Sequence, residues 1–133
     1  MTAIETLVPY ATIPLRILLG IIFIAHGYPK LFKFKEYKEK FKAIGFPSFV
    51  LALVGIAEFI GGLGIIAGLL TRFTAAIWTI MMLTAIYLKV FKWNKGLIEG
   101  YELDLTILAG ALTLFILGAG PLSIDALIGW SLG

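Results

Sequence analysis

Glu58 stands in the middle of an apolar run from Phe49 to Leu70, within the stretch GIAEFIGGLG. A run of that length can cross a bilayer, which takes about 20 apolar residues. An ionisable side chain at such depth costs at least ~2.5–3.5 kcal/mol unless it faces protein or water. The helix must therefore sit in a bundle with Glu58 turned inward to a partner. Helical spacing puts Gly55 and Gly62 near the face of Glu58 and Gly61 on its other flank. Ala57, Gly61, Gly64 and Gly68 form a second small stripe alongside. Small residues of this kind let a neighbouring helix approach closely.

Composition extends the argument to the whole chain. Its 133 residues are 60% hydrophobic and 14% charged, against about 25% charged in a soluble domain. Four apolar segments are predicted to span the membrane: 12–31, 49–70, 73–91 and 103–117. The fold class is all-α, a polytopic four-transmembrane-helix bundle forming one domain over 1–133. The first segment is expected to be a span and not a cleaved leader, because it has no basic flank before it and no small-residue cleavage site. The chain contains no cysteine, so it offers no thiol redox couple, disulfide or thiolate ligand for zinc or an iron–sulfur cluster.

Pro14 lies where a missing N–H is harmless, and Pro29 is expected to kink or end the first span. Between spans one and two, Phe34, Tyr37, Phe41 and Ile44 recur at helical spacing among Lys33, Lys35, Lys38, Lys40 and Lys42. This pattern predicts a short amphipathic helix at the membrane surface. The lysines would draw anionic lipid, and they flank spans, so no nucleic-acid partner is expected. Gly45 should end this helix and Ser48 should cap the next. A tight turn is expected at Thr71-Arg72, and Ser123 should cap a last short helix, Ile124 to Leu132, with Trp130 at the interface. The lysine-rich loops follow spans one and three, which places them in the cytoplasm and both termini, Met1 and Gly133, outside.

Arg16, His26 and Glu58 are the deep ionisable residues. At ~1.5 Å rise per residue, His26 and Glu58 lie at similar depth, and Arg16 is about 10 Å further out with a long side chain. Arg16, Gly20, Phe23, Gly27 and Lys30 share one face of the first span, with His26 rotated roughly 80° away. Two partners for Glu58 thus stay open, Arg16 and His26. The bland outcome is an ion pair or hydrogen bond that fixes register; the functional one is a ligand or proton site. A single histidine cannot supply two axial haem ligands or a histidine-cluster metal site, so no metal, haem or iron–sulfur cluster is expected. Glu102 and Asp104 suit the N-terminal dipole of the fourth span, Asp125 sits in the first turn of the last helix, and most aromatics read as an interfacial belt.

Three stretches also carry a resemblance: RILLGIIFIAHGYPKLF (Arg16–Phe32), AEFIGGLGIIAGLLTR (Ala57–Arg72) and GYELDLTILAGALTLFILGAGPLSID (Gly100–Asp125). Together they resemble the DoxX/DoxD-like membrane protein family across nearly the whole chain, although Pro121 stands where relatives often carry arginine. The resemblance implies a four-helix bundle and a link to redox metabolism, through quinone-linked oxidoreductases and oxidative-stress complexes. On that basis the chain is expected to be a small membrane subunit associated with quinone-linked oxidoreduction. Arg16, His26 and Glu58 would line a quinone-like pocket, with Glu58 and His26 handling the proton. The chain has no self-sufficient active-site motif. Two further readings stand beside this one: a scaffold for a soluble redox partner protein, with homo-oligomer formation open, and a carrier of protons or a small solute.

Overall fold

The computed structural model describes residues 2–130 and 133. Helices account for most of the described chain, and four are long and apolar enough to cross a membrane. Helix α1 (Ala3–Leu7) is held by a capping box in which Thr2 Oγ1 accepts from the Glu5 N–H and Glu5 accepts from the Thr2 N–H. It was not among the expected elements, although Thr-x-x-Glu is a capping-box pattern. A 3₁₀ turn (Val8–Tyr10) leads into α2 (Thr12–Phe32), the first span. Pro29 does not end this helix at its own position. It lies in the last turns, its own carbonyl accepts from the Lys33 N–H, and the chain stays helical to Phe32.

Helix α3 (Phe34–Ile44) is the amphipathic element, and Gly45 at φ 100° ends it as expected. Its apolar stripe is half-buried, and its lysines are exposed. Helix α4 (Ser48–Ala67) is the second span. Its cap residue is Pro47, with Ser48 already inside the helix, so the expected serine cap is absent. The span ends at Ala67 and not at Leu70, because Gly68 takes the left-handed conformation at φ 73°. The tight turn is accordingly Gly68–Leu70, and Thr71-Arg72 opens α5 (Thr71–Tyr87). A π-helical turn, Leu88–Lys92, continues α5 toward the second lysine-rich loop. Helix α6 (Glu102–Leu117) is the fourth span, and α7 (Ile124–Ile128) is capped by Ser123 Oγ, as expected. Gly129 ends α7 at φ 75°. Of the expected extension to Leu132, residues 131 and 132 lie outside the described residues.

The bundle consists of two close antiparallel pairs, α2 with α4 and α5 with α6, more loosely joined to each other. The α2–α4 seam is made by glycines. A Cβ on Gly62 would stand 2.7 Å from the Gly20 carbonyl oxygen, and one on Gly27 only 2.5 Å from the Phe59 nitrogen. Any larger side chain would push the backbones apart, so here glycine sets the helix separation. Gly61 looks the other way, toward Thr74 and Trp78 of α5. At the bundle centre Phe23 stacks on the fully buried Trp78, ring centroids 3.7 Å apart, and the indole N–H donates to the Ala57 carbonyl at 3.0 Å. That bond ties α4 to α5 and satisfies a polar group that has no water to turn to.

Candidate functional site

Glu58 is 5% exposed. Its partner is Lys30, whose ammonium donates to both carboxylate oxygens, at 3.0 Å and 2.7 Å. The residues expected to meet Glu58 do not. The convergence follows from helix direction, because the Cα–Cβ bond of a helical residue tilts toward the helix N-terminus. Lys30 near the end of α2 therefore leans back into the bilayer. Glu58 on the antiparallel α4 leans the opposite way, toward the lysine-rich end. The close Gly27 and Gly55 contacts bring the two backbones near enough for the side chains to meet.

Arg16 is 3% exposed and is engaged at the opposite end of the bundle. Its guanidinium donates to the carbonyls of Ile65 at 3.0 Å, Ile66 at 2.9 Å, Ala119 at 3.1 Å and Leu122 at 3.3 Å. The first two belong to the last turn of α4, whose carbonyls form the negative end of the helix and attract a cation; the Ile65 carbonyl also accepts from the Gly68 N–H at 3.0 Å. A planar fork of donors suits four carbonyls converging from two segments. Arg16 thus fastens α2, the end of α4 and the 119–122 segment together. His26 faces away from the bundle interior, exposed, with Nδ1 2.7 Å from the Ile22 carbonyl of its own helix. No hydrogen bond or ion pair joins any two of the three residues expected in one pocket.

Two acids do more than their sequence positions suggest. Asp125 is buried, and its carboxylate accepts from the Leu70 N–H at 2.8 Å, the Thr71 N–H at 3.0 Å and the Trp130 indole at 2.7 Å. It caps α5 from a distant part of the chain. Burial opposes the charged form of Asp125, but these donated hydrogen bonds outweigh it and hold the carboxyl below its usual range. Asp104 meets Lys89 at 2.6 Å, so the fourth span's acid has an ion-pair partner besides the helix dipole.

The Lys30–Glu58 pair forms the polar end of a cavity of about 460 Å³ between α3, α4 and α5. Phe41, Phe46, Val54, Ile80 and Met81 are among its walls, which are otherwise almost wholly apolar. Neither Arg16 nor His26 lines it. Lys30 is the site residue missing from the expected set. Its position near the end of a span groups it with the loop lysines, although spacing puts it on the buried face with Gly20, Phe23 and Gly27.

Comparison with known proteins agrees with this architecture. The chain is 39% identical over 120 residues to the inner membrane protein YqjF of Escherichia coli (strain K12), covering 85% of this chain and 88% of that protein. It is 29% identical over 117 residues to "Putative oxidoreductase CatD" of Bacillus subtilis (strain 168), covering 88% of this chain and 86% of the relative. No solved structure matches. The DoxX family model matches residues 11–93, from the start of the first span through the π-helical turn. With that match and the YqjF similarity, the chain belongs to the DoxX family of membrane proteins.

Proposed function

We propose that the cavity beside Glu58 is a binding site for a quinone-like ligand and that the chain is a membrane subunit of quinone-linked oxidoreduction. The observation that carries this reading is the cavity itself: apolar walls around one ammonium–carboxylate pair. A largely apolar pocket with few convergent polar groups is the usual form of a small-molecule site. The donor set fits a ring bearing carbonyl or hydroxyl groups, since Lys30 can donate to a carbonyl and Glu58 can accept from a hydroxyl. Such a head group supplies two-electron, two-proton chemistry when bound. The chain's part is to hold the head group, exclude water and keep a proton-accepting oxygen on Glu58 beside it. Electrons would come from a partner protein or a second organic molecule. The name of the Bacillus subtilis relative points toward oxidoreduction, and the family resemblance supplies the link to quinones. The roles expected of Arg16 and His26 pass to Lys30 in this reading. The lysine-rich loops are placed in the cytoplasm and the termini outside by the charge asymmetry of the loops.

The test is ligand retention. Protein purified in native-lipid nanodiscs should carry a quinone identifiable by extraction and mass spectrometry, or bind an added short-tailed quinone saturably. Val54→Trp fills the cavity while keeping both charged side chains and should abolish binding while the protein stays folded. Glu58→Gln should weaken it. Wild-type protein that binds no quinone, or binds it equally well with tryptophan at position 54, would remove the proposal.

A further inference from the structure

The cavity beside Glu58 has an aqueous end and a bilayer side, and the two are built differently. We infer that it is filled sideways from the hydrocarbon, between α4 and α5, and that its occupant is an uncharged, lipid-dissolved molecule with a carbonyl or hydroxyl head. This rests on the reading that the cavity holds a ligand, and it adds the route and the exclusion of water-borne ions.

Exposure shows where the cavity opens. Ile80 is a wall residue and is 66% exposed. It lies twelve residues before Lys92, roughly 18 Å along the helix, so its exposed surface meets acyl chains and not water. Thr84, one turn nearer the lysine-rich end, lines the cavity and is exposed as well. Further from the lysine-rich end the Trp78–Ala57 hydrogen bond pins α4 to α5.

The aqueous end is covered. Phe41, Ile44 and Phe46, from α3 and the turn after it, form the wall there. The Lys92 ammonium donates to the Ile44 carbonyl at 2.9 Å, fastening the end of α3 to the π-helical turn below α5. A molecule arriving from water would have to lift this strap, whereas one arriving from lipid meets the exposed side chains of Ile80 and Thr84.

The same geometry decides the ligand's charge. Among the described residues, Lys30 and Glu58 are the only charged ones in the wall, and they neutralise each other. A charged ligand would shed its hydration shell in the hydrocarbon and find no spare counter-charge at the end of its path. A neutral head group loses far less and recovers hydrogen bonds at the pair. Small inorganic anions are therefore excluded as occupants of this cavity.

The chain has no cysteine, so single cysteines can be labelled without background. In proteoliposomes, Val54→Cys should react with a lipid-soluble maleimide such as N-cyclohexylmaleimide. It should resist a sulfonated, membrane-impermeant maleimide for at least tenfold longer than Glu39→Cys on the exposed face of α3. Met81→Cys provides a second wall position should Val54→Cys misfold. Adding Ile80→Trp, which crowds the bilayer opening, should slow lipid-soluble labelling severalfold; Ile44→Ala, which thins the aqueous cover, should not. Labelling of either wall cysteine by the charged reagent as fast as Glu39→Cys would overturn the inference, and so would labelling by neither reagent. These readouts use no quinone, so sideways access can fail while quinone binding stands, and the reverse.

Discussion

Removing one partner of the Lys30–Glu58 pair should cost far more than removing both. The ammonium sits 2.7 Å and 3.0 Å from the two carboxylate oxygens, and the side chains are 13% and 7% exposed. Stranding one member of a buried pair typically costs ~3–5 kcal/mol, roughly a hundredfold to a few thousandfold in the folding equilibrium. The two single changes should differ. Lys30→Met leaves a carboxylate in apolar surroundings on a short side chain, with no route to water. Glu58→Gln leaves an ammonium on a long stem near the end of its span, and that stem can swing toward the interface. Lys30→Met should therefore destabilise more than Glu58→Gln, and the double variant should recover a large part of the loss. Unfolding in mixed micelles, monitored by tryptophan fluorescence in chains whose exposed Trp93 and Trp130 are replaced by phenylalanine so that Trp78 alone reports, would give the double-mutant cycle, with a coupling energy of at least ~2 kcal/mol expected. The same cycle on Arg16→Gln and Glu58→Gln should be additive within ~0.5 kcal/mol, because the two residues share no partner. A near-zero Lys30–Glu58 coupling, or a large Arg16–Glu58 coupling, would refute this pairing.

Gly27→Ala puts a methyl 2.5 Å from the Phe59 nitrogen and 2.8 Å from Glu58 Cβ, so it should destabilise by about 1–3 kcal/mol, read by the same unfolding assay. Asp125 has a folded pKa below its unfolded one. Its stabilising contribution should be complete above the unfolded value of about 3.9 and be lost as pH falls through the lower folded value. A pH series of unfolding measurements should show that loss in the wild type and not in Asp125→Asn. The lysines of α3 should draw anionic lipid at ~1 kcal/mol each, so an isolated α3 peptide carrying Lys35→Gln, Lys38→Gln and Lys42→Gln should bind anionic vesicles more weakly at low salt; unchanged binding would show that α3 serves another partner.

The helices are legible in the sequence because hydropathy and stop signals are local. Thr12–Phe32, Phe34–Ile44 and Glu102–Leu117 fall within a residue or two of the expected boundaries. The larger misses occur where one local signal competes with another. Leu69 and Leu70 read as a continuation of an apolar span, but Gly68 in its left-handed conformation has already ended the helix. Pro29 reads as a break, yet α2 runs on to Phe32: the proline costs the Ala25 carbonyl one backbone donor, but with only three helical residues after it little helix remains to be disrupted. Gly55 and Gly62 share one face of α4 and Gly61 lies on the other flank, as expected, because periodicity fixes relative rotation along one helix; the structure adds that the first face meets α2 and the second α5.

Partners across helices are not legible, and the physical reason is specific. Depth taken at Cα level matches Glu58 with His26 and puts Lys30 near the water. Side chains on antiparallel helices lean toward each other's levels, so a lysine near the end of one span can meet an acid well inside the next. Arg16 and Lys30 do share a face, but that face does not say which of its two cations serves which end. The structure divides them by the chemistry at each end. At the α4 C-terminus the unmet need is for donors to several converging carbonyls, which the fork of Arg16 supplies. At mid-span the need is a single counter-charge for one carboxylate, which the ammonium of Lys30 meets. The exchange of either cation for the other would leave carbonyls unpaired at one end or crowd the glycine seam at the other. Only the Lys30 end borders this cavity, so the charge that could act on a ligand is also the one that holds the second helix in place. Two of the three Lys30 donors are on Glu58 and the third has only a long contact to the His26 carbonyl, 3.4 Å, so a ligand head group that draws on this ammonium couples its binding to the α2–α4 contact.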